Sequence, residues 1–215
     1  MITLEELTKF NEQESEHSFD GHPRAIRVSK NYVAKAIFHP QEYKQISERK
    51  IVMREALREL ERRYEVWQRA YTKGLSVPRP KGLFLTQTEE LEIPALVVNF
   101  IPGQDLYQLE EAHKRGEVNE LILSKAYELE KLEVKKAQEL GFYVSDNRPV
   151  NAVWNPENKK IYLIDLDEWS IMADTKENER VARFLRLRAK LMDISRRRKQ
   201  ETQTNDSTVW FHDLN

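Results

Sequence analysis

Three oxygen-bearing side chains, Asp146, Asn151 and Asp165, are the residues most suited to chemistry. Asp146 and Asn151 lie five residues apart in the polar stretch Ser145-Asp146-Asn147-Arg148-Pro149-Val150-Asn151, and Asp165 closes the apolar run Ile161-Tyr162-Leu163-Ile164. Val150, Ala152, Val153 and Trp154 read as a short strand, Asn155-Pro156-Glu157-Asn158 as its turn, and Lys160 to Ile164 as the return strand. That hairpin brings Asn151 and Asp165 to the same end of two paired strands. Side by side, they are hard oxygen ligands of the kind that suit Mg²⁺. Asp146 is then placed to accept a proton from an attacking hydroxyl or to orient a water. Asn and Asp also populate loops simply because they bond local backbone groups. The spacing alone does not separate the two readings; the hairpin and the apolar strand ending in Asp favour the metal.

Lys35 is the cationic counterpart. It stands in Tyr32-Val33-Ala34-Lys35-Ala36-Ile37-Phe38, an otherwise apolar strand. Such a lysine either snorkels outward from an edge strand or is held under a nucleotide to pair its phosphates.

The elements that position these groups follow from pattern. Arg24 to Val28 and Tyr32 to Phe38 read as strands around the turn Ser29-Lys30-Asn31. A long helix follows over about 48–73, with Leu57, Leu60, Tyr64, Trp67 and Tyr71 on one stripe and Gly74 as its stop. Gly82 to Thr86 and Ile93 to Ile101 are two further strands, and Pro102-Gly103-Gln104 turns the chain away. Asn119 to Leu140 reads as a second long helix, carrying Leu121, Ile122, Ala126, Leu129, Leu132 and Ala137. A third, basic helix is expected over Glu177 to Arg198, and a short helix over Leu4 to Phe10. The predicted fold class is α+β: a mainly antiparallel N-terminal sheet with one long helix over 1–101, a short helical part with the hairpin over 102–199, and a polar tail over 200–215.

Composition narrows the function classes. The chain of 215 residues is 40% hydrophobic and 33% charged, with no cysteine and a net charge of −1. That excludes a disulfide framework and a thiolate zinc site. The acidic, amphipathic start Met1-Ile2-Thr3-Leu4-Glu5-Glu6 is unlike a signal peptide, and no apolar run approaches the ~20 residues of a membrane span. A cytoplasmic location is the expectation, with no membrane partner. Arg180 to Lys199 holds nine basic residues against one acid, Asp193. A charged outer face is the ordinary reading, and weak, salt-sensitive binding of nucleic acid or an acidic partner is the alternative.

Together these motifs resemble the protein-kinase-like superfamily, closest to the small atypical kinases of the RIO and KEOPS-complex type. The short helical half, the connector Gly74-Leu75-Ser76-Val77-Pro78-Arg79-Pro80 and the run Leu96 to Gly103 carry the likeness over about residues 20–198. The resemblance implies a two-lobed fold and ATP with Mg²⁺, or Mn²⁺, as cofactors. Lys35 would pair the α- and β-phosphates, the backbone of Asn99 and Ile101 would hold adenine, Asn151 and Asp165 would ligate the metal, and Asp146 would be the base. The implied activity is a phosphotransferase or ATPase whose acceptor is a protein, a small-molecule hydroxyl or water. The alternative is a pseudokinase acting as a nucleotide-binding or scaffolding module.

Four departures accompany the likeness. No glycine-rich loop precedes Lys35, Val144 and Ser145 stand where kinases place His and Arg, and Leu166-Asp167 follows Asp165 with no glycine. The glutamate that tethers the lysine in kinases aligns with Arg63 when counted back from Gly74. Two like charges ~4 Å apart repel by about 4 kcal/mol at an effective dielectric near 20, so Arg63 cannot tether Lys35. A shifted helix register would bring Glu61, or else Glu65, to Lys35. Glu61 is the expectation, because Tyr64 then falls one turn on.

Overall fold

The computed structural model describes residues 7–10, 17–18, 25–37, 50–87 and 92–172. They fall in the first of two compact units, 1–174; the second, 175–215, lies outside the described residues, and with it the basic helix and the polar tail. The described part is a mixed α+β fold. Strands β1 (His17–Ser18), β2 (Ala25–Ser29), β3 (Tyr32–Ala36), β4 (Pro80–Gln87) and β5 (Glu92–Asn99) form one antiparallel sheet in the order β1-β2-β3-β5-β4. Helix α1 (Lys50–Thr72) packs on β4 and β5. Among the described residues no helix is long and apolar enough to cross a membrane.

Period-2 alternation places Val33 and Lys35 on one face of β3, with Ala34 and Ala36 buried on the other. On α1 the 3.6-residue period buries Met53, Ala56, Leu57, Leu60, Val66, Trp67 and Ala70, while Tyr71 is exposed. The same helix also buries three charged residues, Glu59, Arg62 and Arg63. Gly74, at φ +76°, ends the helix in the left-handed conformation that glycine adopts without a Cβ penalty.

Beyond β5 the chain forms β6 (Gln104–Asp105), helix α2 (Leu106–Lys114) and helix α3 (Glu120–Glu139). Helix α2 has a reciprocal cap. Asp105 accepts from the Gln108 backbone N–H at 2.7 Å, and Gln108 Oε1 accepts from the Asp105 N–H at 3.3 Å. Leu106, Leu109 and Ala112 are its buried face. Gly103 is obligatory before it, since a Cβ there would lie 2.1 Å from the Trp154 carbonyl oxygen. Strand β7 (Phe142–Tyr143) pairs with β10 (Ser170–Ile171), and β8 (Ala152–Asn155) pairs with β6 and β9 (Lys160–Leu163).

Several expectations need correction. Residues 7–10 are not helical. They run beside β4, with Leu85 N–H donating to Thr8 O at 2.9 Å and Phe10 N–H to Leu85 O at 3.0 Å, so Leu7 and Phe10 are buried through sheet contacts. The strand expected from Val150 begins at Ala152, because Pro149–Asn151 winds into a 3-10 turn. The apolar residues named for α3 divide between buried and exposed positions. Ala126 and Ala137 are buried, but Leu121, Ile122 and Leu132 are exposed, and Glu130 takes a buried place instead. Partners at the loop ahead of β8 explain that substitution.

Candidate active site

A cleft of about 240 Å³ opens between the sheet and the β8–β9 hairpin. Lys35 and Asp165 line it together with Asn99, Ile101, Asp105 and Gln108, and the remaining wall is largely apolar, with Val33, Val98, Val150 and Val153 among its members. Lys35 pairs with Leu96 across β3 and β5, and Tyr32 with Asn99. Lys35 and Asn99 are therefore separated by three residues of strand, about 10 Å.

Lys35 is half-buried and fully engaged. Its Nζ donates to Asp165 Oδ1 at 2.7 Å and to the Ile164 carbonyl at 2.9 Å, stands 3.6 Å from Asp167 Oδ1, and lies over the Trp67 ring at 5.4 Å. Burial alone would push the ammonium pKa down. Asp165 and Asp167 outweigh that effect, and also the repulsion from Arg63, and hold it above the usual lysine value. The side chain is a cation at neutral pH.

Asn151 is turned inward by the 3-10 turn and is 4% exposed. Its Nδ2 donates to the Asp146 carbonyl at 2.8 Å and to Asp146 Oδ2 at 3.2 Å, while its Oδ1 is buried with no hydrogen-bond partner. The Ile164 N–H donates to the Asn151 carbonyl at 2.9 Å, which locks the start of β8 to the residue before Asp165. A buried carboxamide oxygen without a donor is a costly arrangement unless something occupies it. Among the described residues no cluster of three or more His, Cys, Asp or Glu forms a cage for a metal ion. Asn151 and Asp165 nevertheless fit a Mg²⁺ ion of the kind held by one or two protein oxygens plus phosphates and water.

Asp146 adopts φ +57°, a left-handed conformation that Asp tolerates better than most residues. Arg148 grips its carboxylate at both oxygens, with Nε 2.5 Å from Oδ1 and Nη2 2.6 Å from Oδ2. The neighbouring loop residues are pinned as well. Ser145 Oγ donates to the Glu168 carbonyl at 2.6 Å, and Asn147 Nδ2 donates to Glu130 Oε1 at 2.5 Å. Glu130 is thus the buried polar contact of α3, and it holds the residue beside Asp146.

The expected pairing of Glu61 with Lys35 does not occur: among the described residues the ion pairs of Lys35 are with Asp165 and Asp167. Nor does Arg63 confront Lys35 unscreened. Its Nη1 forms a short ion pair with Asp167 Oδ2, and its Nε donates to Glu59 Oε1 at 3.1 Å. Glu59 also takes two bonds from Arg62, at 2.7 and 2.8 Å. Arg62 in turn donates to the carbonyls of Asp167, at 2.6 Å, and Trp169, at 2.7 Å.

The structure thus brings Lys35, Asn99, Ile101 and Asp165 to one cleft and ties Asn151 and Asp146 to each other, neither of them among the residues that line it. It adds Asp167, Arg148, Glu59 and Arg62, which the sequence reading left without roles, and Asp105 and Gln108 at the cleft mouth of α2. The Asp105-x-x-Gln108 spacing was a readable capping signal. Compared with known proteins, the sequence matches no protein-family model and no curated protein.

Proposed function

We propose that the chain is a two-lobed, kinase-like phosphotransferase or ATPase of the small atypical kinase type, using ATP with Mg²⁺ or Mn²⁺. The observation that carries this reading is the pairing of Lys35 with Asp165 in a largely apolar cleft; Asn151, whose carbonyl accepts from the Ile164 N–H, has a buried side-chain oxygen that lacks a donor among the described residues. An apolar wall suits a base, and a cation and an acid about 10 Å along the strands from Asn99 suit the phosphate end.

In this reading the backbone at Asn99 and Ile101 holds adenine. Lys35 leaves Asp165 for the α- and β-phosphates. Asn151 Oδ1 and the Asp165 carboxylate would hold the metal, which would neutralise phosphate charge when bound. Asp146 orients the attacking hydroxyl or water and takes its proton, and Arg148 stands beside it as a cation for the transferring phosphoryl group. Phosphoryl transfer needs mainly positioning and charge neutralisation, so a pinned loop of this kind supplies most of what is required.

A second reading is a nucleotide-binding pseudokinase, and one observation favours it. Arg148 engages both oxygens of Asp146, so the side chain read as the base is already held by a cation and is not turned to a substrate hydroxyl. Release or transfer of radiolabelled phosphate from γ-labelled ATP separates the two. Steady turnover that requires Mg²⁺ or Mn²⁺ is expected. Nucleotide binding without turnover, over a panel of protein and small hydroxyl acceptors and water, would replace the first reading with the second.

A further inference from the structure

We propose that Asp167 is the positioning residue for Lys35 and that Arg63 holds Asp167 in place. The anchoring acid then sits two residues beyond Asp165, and the helix contributes the arginine rather than the acid. This inference rests on the reading of the cleft as a site for Mg²⁺ and a nucleotide.

Asp165 faces two competing demands, Lys35 and a metal ion. Its Oδ1 is the nearest carboxylate to Lys35, at 2.7 Å. If Asp165 turns Oδ1 to a metal ion, its 2.7 Å contact with Lys35 through that oxygen is lost or weakened. The carboxylate that remains is Asp167, whose Oδ1 is 3.6 Å from Nζ. Asp167 is itself fixed from two directions. Arg63 binds its Oδ2, and Arg62 donates to its carbonyl at 2.6 Å. Both arginines are oriented by Glu59, one helical turn back on α1. The chain of contacts is therefore Glu59 to Arg62 and Arg63, then to Asp167, then to Lys35. Arg63 is buried and Lys35 half-buried, and Asp167 stands between the two cations, with Oδ2 on Arg63 and Oδ1 3.6 Å from Lys35, so it offsets their mutual repulsion.

A purely structural Asp167 would neutralise Arg63 and do nothing for the ligand. The two roles differ in which part of the nucleotide notices the change. Affinities for ATP with Mg²⁺ and for adenosine, measured by calorimetry on the wild type, Asp167→Asn and Asp167→Glu, distinguish them. Asp167→Asn is expected to weaken ATP about tenfold or more and to leave adenosine unchanged, the scale of losing one charge-assisted contact. Asp167→Glu is expected to recover most of the loss, because it restores the charge. If Asp167→Asn does not fold, Arg63→Lys replaces it; the lysine keeps the charge but loses the planar fork, and a smaller, ATP-selective loss is expected. An unchanged ratio of ATP to adenosine affinity in the folded variants overturns the positioning role and leaves the nucleotide site standing. A wild-type protein that binds neither ligand overturns both.

Discussion

Replacing Asp146 should lower ATP turnover about 100-fold or more while leaving affinity for the Mg²⁺ nucleotide close to the wild-type value. The expectation comes from how the residue is held. Asp146 is left-handed at φ +57° and lies in a loop whose neighbours Ser145 and Asn147 are bonded to Glu168 and Glu130. Asn is the preferred replacement, because it tolerates the left-handed conformation and so leaves the loop intact. The Asn151 amide keeps its 2.8 Å bond to the residue-146 carbonyl in either variant. Affinity is expected to be retained because Asp146 is read as the base and not as a ligand, while Lys35 and Asp165, which line the cleft, hold the phosphate end. Steady-state rates with Asp146→Asn and Asp146→Ala, next to a calorimetric affinity for each, make the comparison. Full activity in Asp146→Asn would remove Asp146 from the base position.

The largest stability effect is expected at Glu59. Its carboxylate accepts from Arg62 at 2.7 and 2.8 Å and from Arg63 at 3.1 Å, and all three residues are at most 6% exposed. Glu59→Gln keeps the shape and removes the charge, leaving two guanidinium groups buried with less compensation. Removing one partner of a buried ion pair costs about 3–5 kcal/mol. For a domain of this size that is a fall in Tm of roughly 6–20 °C. The cost falls on the contact between α1 and residues 167–169, since Arg62 bonds the carbonyls of Asp167 and Trp169. Thermal unfolding followed by circular dichroism reads it directly, and a fall of less than about 2 °C would mean that the network does not carry the packing of α1.

Much of the local structure was legible because it depends on local period. The alternation in β3 reproduces its burial, and the stripe read on α1 does so at Leu57, Leu60 and Trp67, while Tyr64 is half-buried and Tyr71 exposed; Lys35 falls in its expected strand, and Asn151 just ahead of the strand expected to hold it. Helix α3 was harder. Its span and apolar residues were legible, but its buried positions include Glu130, whose partner Asn147 is 17 residues away in sequence. Burial of a charge is decided by a distant partner and leaves no periodic signature. The tether of Lys35 failed for a related reason. Arg63 at the expected glutamate position and Asp167 at the expected glycine position looked like two separate departures. They are two halves of one ion pair, 104 residues apart, and each accounts for the other. The misplaced expectation for Glu61 came from judging Arg63 by itself. An acid two residues beyond Asp165 was visible in the sequence, but only the fold shows that it reaches helix α1.

The central claim is that Lys35, Asn151 and Asp165 form a site for a metal-bound nucleotide. Calorimetric titration of ATP into the wild type and Asp165→Asn, each with Mg²⁺ and with chelator, tests it most directly. The account predicts that Mg²⁺ tightens binding to the wild type and that Asp165→Asn abolishes this metal dependence or the binding itself. Equal affinity with and without metal, unchanged in Asp165→Asn, would contradict it.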